Sequence, residues 1–462
     1  MSFDPERAAI RFGCGLSPRI APPTSVEDML SRLSGPDHAA KAFPVPGYQT
    51  SVAHHFDLRD ARKAKRRAKT DAERNKANKA IRQVRQGFHR EAGHWFANVM
   101  LRRALSEDAF RERLTAFWAD HFTALHRGGP MRYGHVLYAD EAIRPHVAGR
   151  FSDMLRAAAT HPLMLNFLDQ GESSGPNSAA AAKKERFGGL NENLAREMLE
   201  LHTLGVNGPY TQADVRQLAE LLTGLSYGMR KGFIFRPDLA EPGPESVLSV
   251  EYGGTGQARL EDIYAALDDL ARHPATARHI ARKLAVHFVS DTPDEGLVEA
   301  MTARYTATDG QLPEVYAEML SHPAAWADAP GNVKQPMDFI GSSLRALDIV
   351  PRHMPADKNG QMRRMFYIPL ELMGQAWGQP LGPDGWEEAD DAWITPQRLA
   401  ARLIWGMTVP FQLRRVLPDP RDFVETALGA RAPGEVRFAA RAAETRAEGI
   451  GIVLASPAFQ RM

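Results

Sequence analysis

The densest group of side chains able to do chemistry lies between Asn193 and His202, where Asn193, Arg196, Glu197, Glu200 and His202 crowd one short run. Two carboxylates and a histidine at this spacing suggest a metal site or an acid–base pair. Helical geometry tests which of them can act together. At about 100° per residue, Glu197 and Glu200 fall about 60° apart with Asn193 between them, whereas His202 points about 140° away from Glu197. Asn193, Glu197 and Glu200 therefore share a patch that a regular helix denies to His202. A partner must come from another helix, as it does in helical metal sites. His121 is the best donor, because an imidazole among Phe117, Trp118 and Leu125 needs a hydrogen-bond partner. Asp120 and Asp169 are weaker candidates. The chemistry expected is a divalent metal held by Glu197, Glu200 and His121, or hydrolysis by acid–base catalysis with Asn193 beside them. The competing expectation is structural, with the carboxylates paired to Arg196 or another arginine, since an unpaired buried carboxylate is costly.

Other groups admit two readings each. His202 precedes Gly205 in the last turn of its helix, where a histidine complements the negative helix end and glycine supplies a left-handed cap, or else it serves as a ligand-binding imidazole. His279, Lys283 and His287 recur every four residues. They form either an anion-holding stripe or a solvent-edge face with a snorkelling lysine. Residues 376–394 set Trp377, Trp386 and Trp393 among Asp384, Glu387, Glu388, Asp390 and Asp391. Such tryptophans line a sugar-binding cleft or anchor a long loop. Cys14 is the one cysteine of the chain, which excludes an internal disulfide and a thiolate metal cluster.

Charge is unevenly distributed. The net charge of +1 comes from 57 basic and 56 acidic side chains. Residues 59–90 hold 13 Lys/Arg against Asp60, Asp71 and Glu73, an excess of 13 − 3 = +10, so the rest carries +1 − 10 = −9. The segment is expected to be helical and lacks aromatic interleaving. Generic attraction to phosphate is compatible with it, but specific nucleic-acid reading is not supported. A long solvated helix is the first expectation, and an electrostatic dock for an acidic partner, or for the protein's own acidic body, is the other.

The elements that must position these groups are mostly helices. Amphipathic spacing predicts helices at 24–34, 74–105, 108–125, 139–159, 191–204, 211–222, 258–271, 294–306, 312–321, 334–348, 395–406 and 436–455, with another opening at Pro274. Thr211 and Asp214 form a capping pattern. Residues 170–188 and 376–394 read as loops, and 228–256 as one small β-hairpin. The expected fold is a mainly α, multi-helix, bundle-like single domain over 1–462. A composition of 44% hydrophobic and 24% charged residues excludes disordered and collagen-like chains. The sequence has no P-loop, HExxH, GxSxG or Rossmann fingerprint. With no apolar run of transmembrane length and no signal-peptide pattern, a cytoplasmic location is expected.

The stretch NENLAREMLELHTLGVNGPYTQADVRQLAELLTG at 191–224 closely resembles the signature of the bacterial DUF1800 family. RFGCGLSP at 11–18, ERLTAFWADHFT at 112–123, HPLMLNFLD at 161–169 and HPATARHIARKLAVHFV at 273–289 continue the resemblance in order, so it spans nearly the whole chain. The sequence departs from the family pattern at Leu225, where tryptophan is usual, and at Ala240-Glu241, where a His-Asp pair is usual. The resemblance implies a large helical protein without assigned catalytic residues. It also implies frequent export among relatives and a sulfatase-like DUF1501-type companion. Two functions are therefore expected: an enzyme using the carboxylate patch, or a non-catalytic partner docking that companion through its basic segment.

Overall fold

The computed structural model describes residues 3–126, 128–183, 189–328 and 331–462, and the chain is mainly α-helical. Two long helices, α1 (Gln49–Arg67) and α2 (Asp71–Leu105), pack on each other across a three-residue turn. The turn is set by a capping box: Thr70 accepts from the Glu73 N–H at 3.2 Å, and Glu73 accepts from the Thr70 N–H at 3.0 Å. Before Phe88 most of this pair is solvated, with Val52, Leu58 and Ala77 buried between the helices and their neighbours. Beyond it, Trp95, Phe96 and Met100 carry α2 into the core. Helix α3 (Ala109–His121) starts at an Asp108 cap and buries Phe110, Leu114, Phe117 and Trp118.

The helix expected at 139–159 is broken into a π-helical turn (Ala139–Ile143), a 3-10 turn (Arg144–His146) and α4 (Phe151–Thr160). Pro145 removes a backbone donor in its middle. Helix α5 (Asn193–Glu197) runs into a second π turn, Met198–His202. Helix α6 (Gln212–Leu221) carries the Thr211–Asp214 capping box that its sequence predicts. Two small antiparallel sheets follow where one hairpin was expected. Strand β1 (Leu225–Gly228) pairs with β2 (Gly232–Phe235), and β3 (Glu245–Val247) pairs with β4 (Val250–Tyr252). Prolines 237, 242 and 244 interrupt the strand pattern between them. The β3–β4 turn holds Leu248 and Ser249 at φ of 50° and 66°, the left-handed region that a tight hairpin requires.

Helices α7 (Leu260–Arg272), α8 (Pro274–Phe288) and α9 (Pro336–Ala346) lead to α10 (Pro396–Leu413). The helix expected at 436–455 is two, α11 (Gly434–Ala442) and α12 (Arg446–Ala455), because Thr445 caps the second through the Glu448 N–H. Buried apolar residues from Ala8 to Phe459 form one connected core. Loop 376–394 is anchored by its tryptophans: Trp377 stacks on Tyr133 at 4.7 Å and on Tyr367 at 5.4 Å. Trp393 is buried and donates to the Glu387 carbonyl at 3.0 Å. In the loop expected at 170–188, short turns occupy 170–172 and 179–182, and residues 184–188 lie outside the described residues. Among the described residues no helix is long and apolar enough to cross a membrane.

Candidate active site

The residues singled out in the sequence separate into two places. Glu200 lies 3.3 Å from Arg196, which also meets Glu192 at 3.2 Å, and all three side chains are partly solvated. Asn193 is exposed at the start of α5. Burial raises the Glu197 carboxyl above its usual value, helped by the negative charges of Glu200 and Asp384. His121 is buried against Trp118, Phe122 and Phe151, and its Nε2–H donates to the His202 carbonyl at 3.1 Å. The expected metal set of Glu197, Glu200 and His121 does not assemble: among the described residues no group of three His, Cys, Asp or Glu side chains is placed to hold a metal ion.

The histidines have a structural explanation that linear spacing hides. A helix ends with carbonyls that lack intrahelical partners. At the end of the Met198–His202 turn, His279 Nε2–H serves the Leu201 carbonyl at 3.1 Å, and His121 serves that of His202. Thr203 donates back to the Met198 carbonyl at 2.6 Å, and Gly205 turns the chain away at φ +90°. The expected cap at His202 is corrected here. Burial pulls its imidazole down to about 3, so the ring is neutral, and the capping donors come from α3 and α8. The solvent-edge reading of the 279/283/287 stripe is corrected too, because His287 is buried and His279 and Lys283 are both partly covered.

The position beside His121 is chemically more unusual. Asp120 lies at the end of α3 and lines a cleft of about 180 Å³. Small residues on α3 and just beyond it (Ala116, Ala119, Ala124) leave that space unfilled, and Val136, Trp377 and Trp386 wall it. Both Asp120 carboxyl oxygens lie 3.1 Å from the Trp386 backbone N–H. The loop can come this close only at a glycine: Gly385 has φ +84°, and a Cβ there would sit 2.7 Å from Asp120 Oδ2. Burial, then the charge of Glu388, pushes the Asp120 carboxyl up to about 8, against the opposing Trp386 N–H and Lys283 ammonium.

The other acids lining the cleft are held by arginine. Asp140 pairs with Arg102, Asp338 pairs with Arg103, and Glu112 meets Arg144 at 2.6 Å. Among the described residues Asp120 is the cleft acid without such a partner. Beside it, His287 Nδ1–H donates to Glu388 at 2.9 Å, and Arg113 donates to His287 Nε2 at 3.2 Å, which fixes the tautomer. His135 also lines the cleft, with a buried Nδ1 that has no hydrogen-bond partner and an imidazole pulled down to about 3 by burial.

The family model described as "Protein of unknown function (DUF1800)" matches residues 8–461. The chain belongs to the DUF1800 family. No curated protein and no solved structure matches it. Every residue lining the cleft of this DUF1800 chain, from Val99 to Trp386, falls inside the matched region.

None of Asn193, Glu197, Glu200 and His121 lines the cleft. Asp120 ranks as a weaker candidate in the sequence, Glu388 is one acid among several in its loop, and His135 carries no sequence signal. The usable signal was the run of small residues around Asp120 on an otherwise aromatic helix, together with Gly385-Trp386 far along the chain. In chemical terms the cleft offers a carboxyl that holds its proton at neutral pH and an imidazole acceptor in a largely apolar wall, while the His287-bound Glu388 lies near Asp120 but outside the lining.

Proposed function

We propose that the Asp120 cleft is the active site of a hydrolytic enzyme that works by general acid–base catalysis. The observation that carries this reading is that Asp120, alone among the described cleft acids, is partly buried without an arginine and so holds its proton at neutral pH. A carboxyl that holds its proton and a second carboxyl group close enough to feel its charge divide naturally into an acid and a base. Asp120 donates its proton to the leaving oxygen as that bond breaks, and the carboxylate formed is met by the Trp386 N–H and the Lys283 ammonium. Glu388, aligned by the His287 N–H, takes a proton from the attacking water. His135 Nδ1 accepts a hydrogen bond from substrate, and Trp386 supplies an apolar face.

The test is a panel of alkyl esters, alkyl phosphates and alkyl glycosides, whose leaving alkoxides need a proton, assayed with wild-type chain, Asp120→Asn and Glu200→Gln. Turnover is expected to decline as pH rises through about 8. It should fall by about 100-fold or more in Asp120→Asn and stay near wild type in Glu200→Gln. Turnover in Asp120→Asn within threefold of wild type, or its absence in the wild-type chain on every class, overturns the reading.

A further inference from the structure

A second surface lies outside the cleft and is independent of it. All 13 lysines and arginines between residues 59 and 90 are solvent-exposed on the α1–α2 pair. Their ion pairs among the described residues are local, Arg59–Asp60 at 3.1 Å and Arg74–Asp71 at 3.2 Å, so the segment does not dock on the acidic body. One face of α1 together with His126 and Gly128 encloses a groove of about 530 Å³. His55, Arg59, Arg62, Lys63, Arg66 and His126 line it, with no acid among the lining residues. The spacing 55, 59, 62/63 and 66 places a basic side chain on each successive turn, His55 followed by arginine and lysine, about 5.4 Å apart along the helix. Arg230 extends this surface from the β1–β2 turn, where its guanidinium and that of Arg59 lie over the Phe56 ring at 4.2 and 4.4 Å.

We propose that the α1–α2 hairpin docks on the phosphate backbone of duplex DNA without reading its sequence. An acidic protein is the obvious rival, and the surface argues against it. Stable protein interfaces centre on buried aromatic or aliphatic anchors. No large hydrophobic side chain is exposed anywhere on α1 or α2, whereas Ile404, Met407 and Phe411 are exposed on α10. Binding to a polyphosphate backbone needs no such anchor, because release of condensed counterions supplies the free energy. Single strands are held by stacking on open aromatic faces, whereas the Phe56 ring on this surface is already covered by the guanidinium groups of Arg59 and Arg230. Between duplexes, the B-form major groove is wide enough for a helix, while the A-form major groove is too narrow. Arginines and lysines on every side of the hairpin tip can meet the phosphates on both walls of such a groove.

The test uses the full chain and fluorescence anisotropy with a labelled 20-base-pair DNA duplex over a salt series. The wild-type chain is expected to bind with equal affinity to a scrambled duplex, and log K is expected to fall steeply with log salt. Arg62→Glu/Lys63→Glu/Arg66→Glu should weaken binding at least about tenfold and flatten that slope by about three. A charge-matched control, Arg352→Glu/Lys358→Glu/Arg415→Glu, reverses exposed cations elsewhere and should stay within twofold. Circular dichroism should show equal folding of all three chains. The proposal is overturned by no binding at 50 mM salt or by equal loss in the control. It is also overturned by duplex RNA bound as tightly as DNA, or by poly-glutamate of matched charge bound more tightly, which would mark an acidic protein as the partner.

Discussion

Asp120 and Glu200 both stand near the end of a helix, yet their surroundings have almost nothing in common. Glu200 shares Arg196 with Glu192 on a partly solvated helix face, the common arrangement of i,i+4 neighbours. Asp120 is enclosed, meets one backbone N–H and has Glu388 rather than an arginine as its strongest charged neighbour. A dense linear run of charges thus marks a surface where water and arginine already meet every need. The carboxyl with altered chemistry is the isolated one, set among alanines and aromatic rings and approached by a loop more than 250 residues away in sequence.

The largest effect that sharpens this comparison comes from the paired acids of the cleft. Arg144 holds Glu112 at 2.6 Å and Asp37 at 2.5 Å, and its side chain is 4% exposed. Replacing it by alanine strands Glu112 in the interior, so Arg144→Ala should lose about 3–5 kcal/mol in urea unfolding. A loss below about 1 kcal/mol would mean that arginine pairing does not distinguish these acids from Asp120.

Asp120 itself should behave in the opposite way. Its folded carboxyl titrates at about 8, well above the ordinary aspartate value of 3.8, so the folded state holds the proton more tightly than the unfolded chain. Stability of the wild-type chain therefore falls as pH rises from about 4 to about 8 and levels off above that. Asp120→Asn keeps the shape without the charge and should lack this fall. At about 1.4 kcal/mol per pKa unit, roughly halved because the cleft admits water, the variant should be about 3 kcal/mol more stable relative to wild type at pH 9 than at pH 4. Melting curves of the two chains that run parallel from pH 4 to 9 would remove the protonated carboxyl from the cleft.

How much of this was legible in the sequence follows from how local each feature is. The Thr211–Asp214 capping box, the proline that opens α8 and the left-handed Gly205 are each set by a few adjacent residues, and the structure has them where their patterns place them. The π turn at Met198–His202 and the break at 139–151 escape helical periodicity, which assumes an unbroken 3.6-residue repeat. His121 was legible as a histidine in need of a partner. The partner is a carbonyl at the end of another helix, and carbonyls have no sequence signature. The cleft needed more still, since α3, the 139–143 turn, α9 and loop 376–394 all contribute to it. The 376–394 loop was legible as tryptophan-anchored, and Trp377 and Trp393 do anchor it. What no spacing rule reveals is that the anchored loop points the Trp386 N–H at Asp120.

The smallest expected effect tests the other half of the comparison. Arg196 bridges Glu192 and Glu200, but each side chain of this trio keeps 27–38% of its surface in water. A pair in that setting gains little Coulomb energy over hydration, and it must immobilise long side chains to do so. Arg196→Ala and Glu200→Gln should each shift stability by less than about 0.5 kcal/mol, and by less again in 0.5 M salt, where the Debye length falls to a few ångströms. Glu197→Gln belongs in the same series with a different expectation. Burial and the charges of Glu200 and Asp384 already disfavour its ionised form, so removing its charge should stabilise slightly, and more above pH 6 than below pH 4. If Arg196→Ala instead costs as much as Arg144→Ala, the helix-borne carboxylates are a tightly built network. The contrast between a solvated charge cluster and an isolated, partly buried acid would then no longer single out Asp120.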